Sequence, residues 1–274
     1  MSKRKLDIAV ISDVHLGTYG CHADELELYL KSIAPDLLII NGDFIDGWQF
    51  SKRYFPLSHT RVLQRILKMM SYGTRVVYVT GNHDEMLRQY SGFKLENFAI
   101  EDKLLLEIDG KKFWFFHGDV FDMTMRHAKW IAKLGGFGYD ILIILNRFAN
   151  KILERLGREK YSFSKTVKDS VKLALKHINQ FETTVAEIAV DNGYDYVVCG
   201  HIHEPVIKEF ENRKGSVTYL NSGDWIENLT SLEYLEGEWS VYRFDRAELA
   251  ERDLADTIEI GGTLEIAALA ARII

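Results

Sequence analysis

Cysteine is scarce in this chain, and its scarcity excludes several classes of protein. Among the 274 residues there are two cysteines, Cys21 and Cys199. Two cysteines cannot build the disulfide framework of a small secreted domain or a structural zinc site made of thiolates. The polar start of the chain leads directly into a strand-like run, which predicts that no signal peptide is present. Together these features predict a reduced, cytoplasmic protein.

Long hydrophobic runs and an excess of positive charge are lacking too. The densest apolar run near mid-chain, residues 141–145, is far shorter than the roughly 20 residues that cross a bilayer. The chain carries 34 Lys and Arg against 40 Asp and Glu, a net charge of -6. General attraction to nucleic acid is therefore excluded, and long nucleic acid is not expected as a partner. A phosphate-bearing partner has to be bound at a local site instead.

The hydrophobic residues that are present follow an α/β pattern. At 47% hydrophobic, the composition is that of a folded chain, and we expect a single domain over residues 1–274. Strand-like runs occupy residues 6–11, 37–40, 75–80, 112–116, 194–199 and 216–220. Helical patterns at residues 23–33 and 60–70 separate the first three runs, and this alternation predicts an α/β fold. The tail, residues 247–274, has helical composition and no assigned role.

Residues 121–191 break the alternation, because they show helical patterns and no convincing strand. We predict that they form a helical insertion, or lid, within the domain. Its apolar segment around Ile144 and Leu145 either packs on the rest of the protein or binds lipid. Its lysines Lys165, Lys168 and Lys172 recur at helical spacing. They form either a solvated helix face or a surface for an anionic head group or membrane.

Short clusters rich in histidine and aspartate follow five of the predicted strands. They contain seven candidate ligands: Asp13, His15, Asp43, Asn82, His117, His201 and His203. Because the carboxyl ends of strands in an α/β sheet face a common crevice, we expect these clusters to converge. Asp13 with His15, and His201 with His203, are alternate residues of segments that we expect to be extended, so each pair presents two ligands to one place.

These ligand types predict a divalent metal centre. Imidazole, carboxylate and amide oxygen without thiolate suit Mn, Fe, Zn or Mg. Seven ligands are too many for one metal that also leaves room for substrate, so two metals sharing a bridging carboxylate are predicted. Asp46 and Asp119, close to these ligands in sequence, either orient a histidine or belong to ordinary turns.

The order of these motifs resembles the calcineurin-like metallophosphoesterase superfamily. The resemblance covers roughly residues 6–224 and implies a four-layer α/β/β/α sandwich. It implies one metal bound by Asp13, His15, Asp43 and His203, and a second by Asp43, Asn82, His117 and His201. Mn²⁺ is the favoured metal, and hydrolysis is by a hydroxide that bridges the two ions. The resemblance also implies that His83 stabilises or protonates the reacting group and that Asp84 orients it; a plain turn role stays open for both residues.

Three features resemble one subgroup, the UDP-2,3-diacylglucosamine pyrophosphatases of lipid A synthesis. They are residues 12–17, the helical insertion, and residues 222–225 after the last predicted strand. In that subgroup the insertion is a cap that receives acyl chains. The resemblance implies cleavage of UDP-2,3-diacylglucosamine to 2,3-diacylglucosamine 1-phosphate and UMP, with peripheral contact at the cytoplasmic face of the inner membrane. Many members of the subgroup carry Arg where this chain has His83.

Two alternatives remain. A phosphodiesterase or phosphatase acting on nucleotides or nucleic acid would use the same centre, and a non-catalytic binding scaffold would need no substrate. The oligomeric state is not predicted.

Overall fold

Two β-sheets form the centre of the structure. The computed structural model describes residues 3–48, 54–124 and 164–245, apart from the side chains of residues 122–124 and 164–177. The strands are β1 (Arg4–Ile11), β2 (Ile33–Asn41), β3 (Arg75–Val79), β4 (Lys94–Leu95), β5 (Phe98–Glu101), β6 (Leu104–Ile108), β7 (Lys111–Phe115), β8 (Tyr196–Cys199), β9 (Val206–Asn212), β10 (Gly215–Asn221), β11 (Thr230–Leu235) and β12 (Glu238–Arg243). The helices are α1 (Ala23–Ser32), α2 (Leu57–Ser71) and α3 (Ser164–Asp191), with 3₁₀ helices at Glu85–Tyr90 and Asp119–Thr124.

The strand order places two groups of parallel strands side by side. The first sheet has the order β12-β11-β1-β2-β3-β5-β4, and the second has the order β6-β7-β8-β10-β9. In the first sheet β1, β2 and β3 are parallel neighbours, and in the second β7, β8 and β10 are parallel neighbours. Parallel neighbours end at the same edge of a sheet, so the loops after them gather there.

Both faces of strand β1 are buried, which explains why its sequence is apolar almost throughout. Ile8 and Val10 belong to the core between the two sheets, whereas Ala9 and Ile11 belong to the core beneath α1 and α2. Successive side chains of a strand point to opposite faces. A strand buried on both faces therefore needs apolar residues at every position, which is how its near-continuous hydrophobic run arises.

Helices cover the outer face of each sheet. The core under α1 and α2 includes Leu26 and Leu30 from α1 and Val62 and Ile66 from α2. The core under α3 includes Phe181, Val185 and Ala189, which pack with Val197, Cys199 and Tyr219 of the second sheet. The order helix, sheet, sheet, helix confirms the predicted four-layer α/β/β/α sandwich.

Helix α3 changes the boundary of the predicted insertion. Because Phe181, Val185 and Ala189 cover the second sheet, the C-terminal part of α3 is a layer of the sandwich. The range 121–191 therefore includes residues that belong to the sandwich and not to a lid. Residues 125–163, where the apolar segment of the lid was predicted, lie outside the described residues, as does the tail 247–274. Among the described helices, none is long and apolar enough to cross a membrane.

Candidate metal centre

The loops after β1, β2, β3, β7 and β8 meet at one edge of the sandwich and bring the predicted ligands together. Ligand atoms of Asp13, His15 and His203 lie within 4.8 Å of one another. A second group, Asp43, His117 and His201, meets the same distance. Each group contains three of the four residues predicted for one metal, and a third group, His15, Asp43 and His83, meets the same distance. His15 Nε2 also lies 4.0 Å from Asp43 Oδ2, so Asp43 reaches both groups.

Five of the ligand candidates have an unusual backbone conformation. Their φ angles are positive: 50° at Asp13, 53° at His15, 53° at Asp43, 66° at His201 and 62° at His203. Side chains other than glycine pay a conformational cost there, and such residues concentrate at functional sites. We expected Asp13 with His15, and His201 with His203, to lie on extended segments. That expectation was wrong, because a positive φ at each of these residues is not an extended conformation.

Backbone amides orient the two carboxylates. Asp13 Oδ2 accepts a hydrogen bond from the N–H of His201 at 2.9 Å, and Asp43 Oδ1 accepts one from the N–H of His83 at 2.7 Å. In each carboxylate the other oxygen points toward histidines. His203 Nε2 lies 3.2 Å from Asp13 Oδ1, and His117 Nε2 lies 3.2 Å from Asp43 Oδ2.

Three of the histidines are held through their Nδ1 atoms, which leaves Nε2 facing the centre. His117 Nδ1 is 2.9 Å from the carbonyl oxygen of Asn41. His15 Nδ1 is 3.1 Å from Asp46 Oδ2, and His203 Nδ1 is 3.7 Å from Asp224 Oδ2. Metal-binding histidines usually have such partners on the second nitrogen, because the partner fixes the ring orientation.

Charge within the centre perturbs the ionisation of its members. Burial opposes ionisation of Asp43, but the neighbouring His117 outweighs burial and lowers the pKa of Asp43 to about 2. Burial of His117 is outweighed in turn by Asp43 and Asp13, which raise its pKa to about 10. Partial burial of His203 is outweighed by Asp13, which raises the pKa of His203 to about 9. The carboxylates thus attract positive charge strongly, the property that a cation site needs.

Unsatisfied buried atoms show that a metal fits. Asp13 Oδ1, His15 Nε2, Asn82 Oδ1 and His117 Nε2 are all buried and make no hydrogen bond, although Asp13 Oδ1 and His117 Nε2 each have an ionisable neighbour at 3.2 Å. Leaving buried polar atoms unpaired costs free energy, and each of these atoms is a metal-ligand type. The mixed nitrogen and oxygen donors suit a divalent cation.

His83 pairs with Asp46 and not with Asp84. Its Nδ1 lies 2.9 Å from Asp46 Oδ2, and its Nε2 lies 4.0 Å from Asp43 Oδ2. The ring also packs against Trp48, with centroids 4.2 Å apart. Asp46 therefore orients a metal-ligand candidate, His15, and His83 through one oxygen. Asp46 fills both roles that the sequence left open, because its Oδ1 also accepts a hydrogen bond from the N–H of Trp48 at 3.0 Å within the same turn.

Asp84 braces the loop after β3. It is fully buried and accepts hydrogen bonds from the N–H of Phe44 at 3.0 Å, from Tyr78 Oη at 2.5 Å and from the N–H of Gly81 at 2.6 Å. These contacts fix the turn that carries Asn82 and do not reach the ring of His83. The structure thus supports the turn role that the sequence left open for Asp84.

The other candidates are placed less completely. Asp119 accepts a hydrogen bond from Arg88 Nη2 at 2.5 Å, which ties the loop after β7 to the 3₁₀ helix after β3. Lys165, Lys168 and Lys172 lie on α3, but their side chains are not described. Ile144 and Leu145 lie outside the described residues.

Sequence reasoning missed Asn41, Asp224 and Asn228. Asn41 supplies the carbonyl that holds His117, and its side chain donates to the carbonyl of Phe116 at 3.1 Å. Asp224 faces His203, and Asn228 Nδ2 donates to the carbonyl of His203 at 2.7 Å. Asp224 belongs to the segment 222–225 that resembles the subgroup, but no role was assigned to it, and the signal for Asn41 was its position beside Gly42 at the end of β2.

An open pocket of about 390 Å³ lies beside the centre. The described residues that line it are His15, Thr18, Tyr19, Gly20, Asp46, His83, His203 and Ile226. Its volume falls in the range of small-molecule sites. One side of the pocket is thus formed by histidines of the centre and the other by the loop after β1.

The fold and this centre define the class of protein. A family model described as calcineurin-like phosphoesterase matches residues 6–205. The chain belongs to the calcineurin-like phosphoesterase family and is a metal-dependent phosphoesterase.

Curated relatives match most of the chain. The UDP-2,3-diacylglucosamine hydrolase of Aliivibrio fischeri (strain MJ11) is 22% identical over 244 residues, which cover 87% of this chain and 98% of that protein. The enzyme of the same name from Porphyromonas gingivalis (strain ATCC BAA-308 / W83) is 26% identical over 247 residues, covering 78% of this chain and 88% of that protein. A solved archaeal phosphodiesterase aligns at a TM-score of 0.41 and 17% identity, over 86% of this chain and 98% of that one.

Proposed function

We propose that this protein hydrolyses the pyrophosphate bond of UDP-2,3-diacylglucosamine to give 2,3-diacylglucosamine 1-phosphate and UMP. The observation that carries the proposal is the match to a UDP-2,3-diacylglucosamine hydrolase over 98% of that protein's length. The metal centre supports metal-dependent hydrolysis, because it brings carboxylate and imidazole ligands together and several of their buried ligand atoms make no hydrogen bond.

In this proposal the seven ligand residues bind two cations. Asp13, His15, Asp43 and His203 would hold one ion, and Asp43, Asn82, His117 and His201 the other. We propose Mn²⁺, while Fe, Zn and Mg suit the same donors. When bound, such ions neutralise phosphoryl charge and activate water for attack on phosphorus. Asp46 and Asp224 orient the histidines around them.

His83 is proposed to hold and deliver a proton. Its Nδ1 lies 2.9 Å from Asp46 Oδ2, a contact that orients the ring. The side chain lines the pocket, where it would face the reacting group of a bound substrate. A histidine in this position donates its proton to the departing phosphate oxygen or stabilises charge that develops on phosphorus. The packing of Trp48 on the ring restricts its orientation.

The insertion is proposed to receive the acyl chains. Ile144 and Leu145 belong to the apolar segment, and Lys165, Lys168 and Lys172 would lie near the phosphates or an anionic membrane surface. We propose, with this, a cytoplasmic protein that contacts the cytoplasmic membrane face. An apolar segment of this kind suits an amphiphilic substrate, whereas hydrolysis of a small soluble phosphoester does not require one.

The test is hydrolysis by the purified full chain with Mn²⁺, measured for each substrate by the product it releases: UMP, phosphate, nucleotides or p-nitrophenol. UDP-2,3-diacylglucosamine is compared with UDP-glucosamine, free nucleotides, bis-p-nitrophenyl phosphate and single-stranded DNA. The Asp43→Ala variant, which loses the shared ligand, controls for contaminating hydrolases. We expect UDP-2,3-diacylglucosamine to be the best substrate. Faster cleavage of nucleotides or DNA would replace the lipid substrate with a nucleotide or nucleic-acid one, and no cleavage of any substrate would indicate a binding scaffold.

A further inference from the structure

Tyr19 is an exposed aromatic side chain in the wall of the pocket beside the metal centre. Its side chain is 85% exposed, the largest value among the described bulky hydrophobic residues. It lines the same pocket as His15, His83 and His203. Exposure of so large a ring is a cost that a ligand would remove, because burial of apolar surface stabilises a complex.

The ring of Tyr19 is supported from behind. It stacks on Tyr54, with centroids 3.8 Å apart and planes tilted by 34°. Tyr54 in turn meets the edge of His59 at 5.9 Å, and His59 is buried. The Nδ1 atom of His59 accepts a hydrogen bond from the N–H of Gly17 at 2.9 Å, in the same loop as Tyr19. The Tyr19 ring is therefore held as a flat surface and does not have to be ordered by the ligand.

The described residues on the Tyr19 side of the pocket carry no charge. Among the described residues that line the pocket, none is Lys or Arg. On the Tyr19 side the lining consists of Thr18, Gly20 and Ile226, and a Cβ on Gly20 would meet Ile226 Cγ2 at 3.3 Å. A phosphate is served by the metal centre, so this wall is left for an uncharged part of the same substrate.

We propose that Tyr19, stacked on Tyr54, is a platform for the nucleobase of the substrate. The substrate is then a nucleotide whose phosphoryl group is cleaved at the metal centre. A flat ring binds an aromatic face more favourably than a flexible alkyl chain does, because two aromatic rings attract each other in an offset stacked geometry. Stacking tolerates any base, since every base has a π face. The inference rests on the proposed function, in which that base is uracil.

The experiment compares two chromogenic diesters that share the p-nitrophenyl leaving group. One is the p-nitrophenyl ester of UMP, and the other is the same ester of ribose 5-phosphate, which lacks the base. The ratio of their kcat/KM values isolates the base, because any contact with the leaving group cancels. A third diester with an octyl group replacing the nucleoside measures preference for an alkyl chain.

Four variants separate a stacking ring from other roles. Tyr19→Phe keeps the ring, Tyr19→Leu keeps apolar volume without it, and Tyr19→Ala removes both. Tyr72→Ala is the matched control, because Tyr72 is 73% exposed but follows α2, next to the start of β3 and away from the strand ends that carry the centre. We expect the wild-type ratio to be about tenfold, the order of effect that base stacking gives. Tyr19→Phe and Tyr72→Ala keep the ratio, and Tyr19→Leu and Tyr19→Ala bring it close to one.

Three results would overturn the platform. They are a wild-type ratio near one, an unchanged ratio in Tyr19→Leu with preference for the octyl diester, and an equal loss on the UMP and ribose 5-phosphate esters in Tyr19→Ala. Failure of the proposed function looks different. If UDP-2,3-diacylglucosamine is not cleaved but the ratio depends on the ring at position 19, the platform stands and the lipid substrate does not.

Discussion

Asp43 is the residue whose removal tests the dinuclear arrangement most directly. Its Oδ2 lies 3.2 Å from His117 Nε2 and 4.0 Å from His15 Nε2, so one oxygen of Asp43 is close to histidines of both groups. We expect Asp43→Ala to abolish hydrolysis and to reduce the metal content from two ions per chain, since a shared ligand is lost from both positions. Metal content measured by mass spectrometry after dialysis checks this.

Asp36→Ala provides the matched control, because Asp36 is exposed in β2, within the strand and not after it. That variant should keep both ions and full activity. Circular dichroism should show the same fold for both variants. Two tightly held ions in Asp43→Ala would contradict the bridging role.

His83 is expected to act on the reaction without holding metal. Replacing His83 with Gln removes the ring that faces Asp46 and the pocket. We expect kcat to fall by about 10² to 10⁴-fold, the usual contribution of a general acid. Metal content should stay at the wild-type value. An unchanged kcat on a substrate with a poor leaving group would exclude the role.

At the scale of elements, the loops of the metal centre depend on glycine, because a residue without a Cβ lets neighbouring backbone and side chains come close. A Cβ on Gly81 would lie 2.6 Å from the backbone nitrogen of Asp43 and would collide with Asp43 Oδ1. We expect Gly81→Ala to displace Asp43, to lower metal affinity and to destabilise the protein by about 1 to 3 kcal/mol, the usual cost of overpacking. Titration calorimetry with Mn²⁺ and thermal unfolding of the metal-free protein measure the two effects.

The control for this variant is Gly110→Asn in the turn between β6 and β7. Its φ of 75° suits Asn better than most residues, and a Cβ there meets nothing within 4 Å. Metal affinity should not change in Gly110→Asn. If Gly81→Ala binds Mn²⁺ as tightly as the wild type, the close approach of Gly81 to Asp43 does not matter for the centre.

Elements buried on both faces could be predicted from the sequence, and elements at sheet edges could not. The six predicted strands correspond to β1, β2, β3, β7, β8 and β10 within about three residues for most ends, because buried parallel strands are apolar throughout. Strand β9 has mostly exposed side chains, and β4 has only two residues, so neither leaves a hydrophobic pattern. Strand β11 is buried but contains Thr, Ser and Glu.

The site shows the same division between local and distant information. The seven ligand candidates were identified because each follows a strand in a short cluster of Asp, His, Asn and Gly. The partner of His83 was not, because Asp46 and His83 are 37 positions apart and neighbouring Asp84 was the simpler choice. Asp224 was missed for the same reason, since its distance of 3.7 Å to His203 arises only when β10 and β8 pair.

At the scale of the whole molecule, the sandwich accounts for cleavage but not for the choice of substrate. Both sheets contribute ligands, with Asp13 and Asp43 following strands of the first sheet and His117 and His203 following strands of the second. The core between the sheets therefore fixes the distance between the two halves of the centre. The described pocket wall at Tyr19 and Ile226 offers apolar contact to only one part of a substrate. We propose that the insertion recognises the rest of the substrate.

The last prediction concerns that insertion and the proposed acyl chains. Burial of hydrocarbon contributes about 0.8 kcal/mol per methylene, so even a few contacting carbons raise affinity by more than tenfold. We expect kcat/KM to increase steeply from the deacylated to the diacylated form of the proposed substrate. Ile144→Asp and Leu145→Asp should remove that increase, while hydrolysis of bis-p-nitrophenyl phosphate, which has no acyl chain, reports whether the metal centre is intact. Equal kcat/KM for both forms in the wild type would leave the dinuclear phosphoesterase in place and remove the lipid from its substrate.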